Sequence, residues 1–341
     1  MTAKKHKTIP IFVPHLGCPH DCIFCNQRTI TGVEGFDISQ VRQSIDNALS
    51  TINPACKPEI AFFGGSFTGI DQVLMVKLLE IANDYVDKGL ISSIRCSTRP
   101  DYIDDEKLNI LKKYNLQTIE LGVQSMSDKV LIASSRGHTA DQTRSSVKKI
   151  IDAGFDLVGQ MMIGLPASEP EDELECARFI ASSGAAGARI YPTVVFAKTG
   201  LEALMHAGKY RPLTVEDATV RSADVAEILI DANIKLLRIG LCESDGLHAT
   251  NGAVGGAVHP ALGELCASEI YRRKICLEIE RANPCEGSDI EIKVPKGALS
   301  KAIGQKRSNK NYLQKKYKFN KIRFTEVDAD EFTVSVACSG V

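Results

Sequence analysis

The chain has 341 residues, 44% of them hydrophobic and 24% charged, with a formal net charge of −1. That balance supports a sizeable core and excludes disorder over most of the length. It also excludes a whole-chain field that would drive the protein to nucleic acid or membrane, so any charged partner must meet a local patch. The length suits a barrel-sized domain plus a small module. No run of 18 or more residues is apolar and free of charge, and the basic start MTAKKHKTIP has no hydrophobic segment behind it, so no membrane partner is expected and the chain is expected to stay in the cytoplasm.

In chain order, short β-branched or aromatic runs alternate with helix-like stretches, the pattern of a parallel sheet with crossover helices. Six strands are expected: Ile9–Val13, Glu59–Phe63, Ser92–Ser97, Gln117–Val123, Asp156–Ile163 and Ala188–Val195. Between them the spacing predicts helices over Ile38–Ser50, Gln72–Lys88, Asp104–Tyr114, Thr139–Ala153 and Pro170–Ser183, with Gly89 and Gly154 as left-handed C-caps. Six such units make an α/β fold, a partial (βα)6 barrel, in which chemistry gathers at the C-terminal ends of the strands. A helix over Val215–Ala232, a strand over Lys235–Gly240, a Gly-rich loop over Gly246–Gly256 and a helix over Pro260–Ile279 follow, and Ala282-Asn283-Pro284 reads as a linker. The expected division is a core of residues 1–285 and a small α+β module of residues 286–341.

From Lys293 to Arg323 there are eleven Lys or Arg and no Asp or Glu. The order expected there is strand (Ile290–Val294), helix (Gly297–Ile303), turn (Gly304–Arg307), helix (Asn309–Lys316) and two strands (Lys321–Thr325, Phe332–Val336).

Eleven cysteines without a secretion signal argue for thiols or metal ligation rather than disulfides. Eight are scattered and read as small buried hydrophobes. Cys18, Cys22 and Cys25 cluster in LGCPHDCIFCNQ at the spacing C-x3-C-x2-C, which supplies three thiolates to a four-iron cluster and leaves the fourth iron open to a ligand. A zinc site recruiting His20 is the first rival, but His20 lies closer to Cys18 than ligand spacing favours. A dithiol from Cys22-Ile23-Phe24-Cys25 is the second, and such motifs seldom carry a third Cys four residues upstream.

The loop resembles that of the radical S-adenosylmethionine (SAM) superfamily, C-x3-C-x-aromatic-C, matched by Cys18, Cys22, Phe24 and Cys25. The resemblance implies a [4Fe-4S] cluster, SAM chelated at the open iron, Phe24 near the adenine, and Gly64, Gly65 and Ser66 approaching the SAM amino group. Within the superfamily the chain is similar to the catalytic Elongator subunit (Elp3-like proteins) over about residues 8 to 240. FFGGSFTG, STRPDYI from Ser97, IELGVQS from Ile119, SRGHT from Ser135, DAGFDLVGQMMIGLP from Asp152 and RIYPTVVFAKTGLEAL from Arg189 carry that similarity. It implies that Gln124 and Arg136 hold SAM, with Ser97 and Gln160 at ribose and adenosine positions. An exposed arginine at a helix start is the plain reading of Arg136.

The implied chemistry is reductive cleavage of SAM to a 5′-deoxyadenosyl radical, fed by an external electron donor, and the implied partner is RNA, above all tRNA modified at a wobble uridine. The stretch after residue 285 is too short for the acetyltransferase domain of Elp3-like proteins. Its Gly304-Gln305-Lys306-Arg307 turn is similar instead to the GXXG turn of a KH module, with Arg307 in place of the second glycine, and Lys301, Lys306, Arg307 and Lys310 are the candidate phosphate contacts. His259-Pro260, Gly255-Gly256 and Tyr191 are candidate pocket residues. Two alternatives stay open: a small-molecule enzyme of the oxygen-independent coproporphyrinogen oxidase type, and a non-catalytic RNA-binding protein with a structural cluster. Nothing fixes the oligomeric state.

Overall fold

The computed structural model of the chain describes residues 8–13, 16–18, 22–26, 36–53, 55–241 and 252–338. Its centre is a seven-stranded sheet that curls into a half-barrel. The strands are β1 (Thr8–Phe12), β2 (Glu59–Phe63), β3 (Ser93–Thr98), β4 (Leu116–Gln124), β5 (Asp156–Ile163), β6 (Gly187–Pro192) and β8 (Lys235–Ile239). Each pairs in parallel with its neighbours in that order. The six expected units are thus extended by a seventh strand, because Lys235–Ile239 follows its own crossover helix and pairs with β6.

Two sequence expectations change here. The run expected over Ala188–Val195 is two strands: β6 ends at Pro192, and β7 (Val194–Phe196) leaves the sheet to pair antiparallel with β9 (Ala253–Gly256). Proline at the end of β6 has no N–H to extend the ladder, and Gly256, at φ +93°, lies so close to the Thr193 carbonyl that a Cβ would come within 2.6 Å of it. Part of the expected Gly-rich loop is therefore strand, while residues 242–251 lie outside the described residues.

The helices packed on the sheet are α1 (Val41–Ser50), α2 (Gln72–Asp87), α3 (Asp105–Lys113), α4 (Asp128–Ala133), α5 (Ala140–Asp152), α6 (Pro170–Ser182), α7 (Gly200–His206) and α8 (Val215–Asp231). Side-chain caps set several starts: Asp71 for α2, Asp104 for α3, and a Thr139–Gln142 capping box for α5. Alternation along the strands divides the sheet's faces. Ile60, Phe62, Ile94, Cys96, Ile119, Leu121, Leu157, Met161, Ala188 and Ile190 are buried in the main core. The intervening Glu59, Arg95, Ser97, Glu120, Gln160, Arg189 and Tyr191 share the other face.

The long α9 (Leu262–Ala282) ends on a left-handed Asn283 and is followed by β10 (Asp289–Pro295), α10 (Leu299–Ile303), α11 (Ser308–Tyr317), β11 (Lys321–Val327) and β12 (Ser335–Cys338). β10 is central, parallel to β11 and antiparallel to β12. A second core joins Ile290, Ile292, Val294, Ala302, Leu313 and Ile322 to Tyr271, Ile275 and Ile279, so α9 contributes its C-terminal half to the module's core. Among the described residues no helix is long and apolar enough to cross a membrane. Of the scattered cysteines Cys96, Cys176, Cys266 and Cys276 are buried as expected, whereas Cys56 is half-buried and Cys285, in the linker after α9, and Cys338, at the end of β12, are exposed.

Candidate active site

The cysteine loop is fastened to the C-terminal ends of the strands by backbone contacts. Gly17 adopts φ +80°, and a Cβ there would lie 2.5 Å from Gly69 C, Ile70 N and the Ser66 carbonyl. Only glycine allows the chain entering Cys18 to lie flat on the turn after β2. Further along, Ile23 donates its N–H to the Ser134 carbonyl at 3.3 Å and accepts from Leu201 N at 2.8 Å. The Asn26 side chain donates to the Ala197 carbonyl. The FAKTGL segment thus docks on the loop, which local sequence does not reveal because the partners are about 175 residues apart.

Cys22 is buried, and Cys18 and Cys25 are half-buried. Among the described residues no three His, Cys, Asp or Glu side chains stand together as a ligand set. What surrounds Cys22 is cationic: Arg136 Nη1 lies 3.3 Å and Arg99 Nη1 3.7 Å from its Sγ. An iron ligand must be a thiolate, and two guanidiniums stand beside this sulfur.

Gln124 reaches the site through a break in the ladder. The β4–β5 register shifts between Gly122 and Gln124, and Gln124 has φ +63°. Gln124 ends the strand at that irregularity, with its side-chain nitrogen over Gly122. Gly122 makes the space, since a Cβ there would meet Gln124 Nε2 at 3.0 Å and Arg136 Nη2 at 3.1 Å. Arg136 is 6% exposed, which overturns its plain reading as an exposed helix-start arginine. Its Nη2 donates to the Gly122 carbonyl at 2.8 Å.

Among the described residues seven buried side-chain polar atoms have no partner, and all but Ser222 Oγ belong to Ser66, Gln124, Ser134, Arg136 and His138; of these, Arg136 Nε, Gln124 Oε1 and Ser66 Oγ supply a donor, an acceptor and a hydroxyl. Buried groups of this kind are normally satisfied, so their presence together marks a ligand site. A donor, an acceptor and a hydroxyl match the carboxylate and ammonium of an amino acid, and Gly64, at φ +98°, leaves the turn after β2 without a side chain. By donor chemistry the residues suit both groups, three thiols on one loop with cations beside Cys22 for the cluster and these unpaired atoms for SAM, although the three sulfurs are not drawn together as a ligand set. Phe24 is half-buried in the loop, and Ser97 and Gln160 lie on the polar face of the sheet, Gln160 paired in register with Gly122.

His138 is buried beside the arginines, and burial together with Arg136 and Arg99 holds its imidazole down to about 3, so it is neutral in the fold. Arg99 and His138 are site residues that sequence reasoning missed. Arg99 sits in the STRPDYI segment, which was the available signal, but only its approach to a sulfur 77 residues away gives it a role.

The other candidates fall elsewhere. Lys306 and Arg307 are exposed on the turn between α10 and α11 and both take left-handed backbone, at φ +52° and +64°. Gly304 is required, because a Cβ there would lie 2.8 Å from Asn309 N. Lys310 is half-buried on α11. Lys301 is 3.9 Å from Glu264 and 3.7 Å from Glu331, facing carboxylates at the seam with α9. Tyr191 is on the polar sheet face, whereas His259 accepts from Ala261 N at 3.1 Å as a local cap before α9.

The family model described as Radical SAM superfamily matches residues 12–180, and the one described as Radical_SAM C-terminal domain matches residues 185–272. The tRNA uridine(34) acetyltransferase of Methanocaldococcus jannaschii is 27% identical over 242 residues, 59% of this chain and 45% of that protein. Elongator complex protein 3 of Saccharomyces cerevisiae is 29% identical over 244 residues, 58% of this chain and 44% of that one. The chain thus spans less than half the length of either relative. The archaeal Methanocaldococcus infernus Elp3 structure, with N-terminus deletion (1-46), shares the fold at a TM-score of 0.63 and 20% identity, covering 78% of this chain and 63% of that one. With two matches that between them run from residue 12 to residue 272, the chain belongs to the radical SAM superfamily, whose members use a [4Fe-4S] cluster and SAM, and its barrel is Elp3-like.

Proposed function

We propose that this protein reductively cleaves SAM and applies the resulting radical to tRNA, with a wobble uridine as the class of target. The observation that carries the first half is the set of unpaired buried atoms, Arg136 Nε, Gln124 Oε1 and Ser66 Oγ, beside the cationic surroundings of Cys22. When bound, the cluster supplies one electron to the SAM sulfonium. Arg136 holds the methionyl carboxylate through Nε while its Nη atoms stay on Cys22 and the Gly122 carbonyl. Gln124 accepts from the ammonium, and Gly64 and Gly65 let the backbone approach it. Phe24 covers the adenine, with Ser97 and Gln160 toward the ribose and base. Cys18, Cys22 and Cys25 hold the iron.

The second half rests on relatives that act on tRNA uridine(34) by their names and on the basic module. In this reading residues 1–285 do the chemistry, and residues 286–341 are a KH-like module that docks RNA. Lys306, Arg307 and Lys310 meet phosphates, and Lys301, facing Glu264 and Glu331, contributes least.

The test is anaerobic. Protein reconstituted with iron and sulfide is given dithionite and SAM, and 5′-deoxyadenosine is assayed with and without tRNA. Cleavage stimulated by tRNA is expected, lost in Cys22→Ala. Replacing Lys306 and Arg307 together by alanine should weaken tRNA binding and reduce the slope of log K against log salt by about 1 to 2. Cleavage indifferent to tRNA would turn the search to small molecules, and an intact cluster without cleavage would point to a non-catalytic role.

A further inference from the structure

Arg99 is held in the site from several sides. It follows β3, where the Thr98 and Thr68 hydroxyls are 2.5 Å apart and Thr68 also donates to the Tyr102 carbonyl. Pro100 begins a single 3₁₀ turn, and the Pro100 carbonyl accepts from Ser146 Oγ at 2.7 Å. The Arg99 side chain is 5% exposed. Its Nε and Nη2 donate to the two carboxylate oxygens of Asp101 at 2.9 and 3.0 Å, and Nη2 donates also to the Arg136 carbonyl. That leaves Nη1 as the nitrogen aimed at Cys22 Sγ, 3.7 Å away.

The two arginines on this sulfur are therefore unlike. Arg136 keeps an unpaired Nε for a ligand, whereas Arg99 has oxygens on Nε and Nη2 and presents only Nη1 to the thiolate. A buried cation beside a cluster thiolate, in a place where water does not screen it, stabilises added negative charge there. Asp101, on the far side of the guanidinium, opposes that effect.

We propose that Arg99 is a positioning residue that tunes the cluster: it fixes Cys22 and raises the reduction potential of the site. The step concerned is the transfer of one electron from an external one-electron donor to the [4Fe-4S]2+ state, giving [4Fe-4S]+, with no bond made or broken and no proton moved. Arg99 stabilises the product because that state carries one more negative charge. Asp101 sets how much of the guanidinium charge the sulfur feels.

The test reads potential rather than turnover. The full chain is reconstituted with iron and sulfide, without SAM, and the reduced-cluster EPR signal is followed at poised potentials for the unaltered protein, Arg99→Lys, Arg99→Met and Asp101→Asn. Arg99→Met should lower the equilibrium constant for reduction about tenfold, a midpoint ~59 mV more negative for one electron. Arg99→Lys should keep most of the original midpoint, and Asp101→Asn should move it upward. An unchanged midpoint in Arg99→Met at equal iron content, or an equal fall in the Lys and Met variants, would overturn the proposal. If Arg99→Met does not retain iron, Asp101→Asn decides: an upward shift supports the role, and no shift or a downward one overturns it. Absence of a four-iron signal from the unaltered protein would overturn the cluster itself, a failure distinct from that of the tuning role.

Discussion

Gly122 and His138, both beside Arg136, act on the site through a missing side chain and a neutral one. Gly122 gives Gln124 and Arg136 their room, so Gly122→Ala should push both aside and weaken SAM binding about tenfold, or ~1.4 kcal/mol, in anaerobic equilibrium dialysis. Unaltered affinity would mean that both side chains relax without loss. His138 makes a pH prediction. Burial and the neighbouring arginines hold it at about 3 in the fold, against about 6.5 in an unfolded chain. As pH falls below 6.5 the unfolded state takes up a proton that the native state refuses, so stability decreases with falling pH, by up to ~1.4 kcal/mol per unit, until about pH 3. The contribution is intact above 6.5 and lost toward acid. Urea unfolding at pH 4 to 6 should show a shallower pH slope in His138→Phe than in the unaltered protein, and equal slopes would show that His138 charges freely in the fold.

At the scale of strands and helices, the polar face of the half-barrel is held by one carboxylate shared between two guanidiniums. Glu120 on β4 accepts from Arg95 on β3 at 2.7 Å and from Arg189 on β6 at 3.0 Å through both Nε and Nη2, and Arg95 reaches on to Glu59 on β2 at 2.8 Å. Glu120 is 2% exposed. Removing it leaves two partly buried cations short of a partner, so Glu120→Ala should cost about 3–5 kcal/mol in urea unfolding. A loss below about 1 kcal/mol would show that water on the polar face already satisfies both arginines. Alternation in the sequence places these residues on a common face, but which carboxylate serves which arginine depends on the strand register, because β3, β4 and β6 meet only in the sheet.

Across the whole molecule, α9 joins the two parts. Its N-terminal half packs on α8 and the main core through Ile270, while Tyr271, Ile275 and Ile279 belong to the second core. Tyr271 Oη also accepts from Phe332 N at 3.1 Å. A chain ended at residue 285 would expose those apolar side chains to water and should unfold at lower urea or aggregate during purification, even though the barrel strands are intact. A truncated chain as soluble and stable as the full one would show that α9 folds without the module.

The α/β class, the order of strands and helices, the glycines that end two helices and the cysteine loop are legible in the chain, because each follows from local periodicity, capping chemistry or a spacing of a few residues. The sequence also marks Gly64, Gln124 and Arg136, whose segments are recognisable without coordinates. What those segments meet is set by the folded chain. The bulge at Gln124 opposite Met161, the Gly17–Gly69 contact that seats the loop, the departure of β7 to pair with β9, and the approach of Arg99 to Cys22 all join residues far apart in the chain. Close packing and the shielding of charge from water act on distance in space, and a linear pattern records neither.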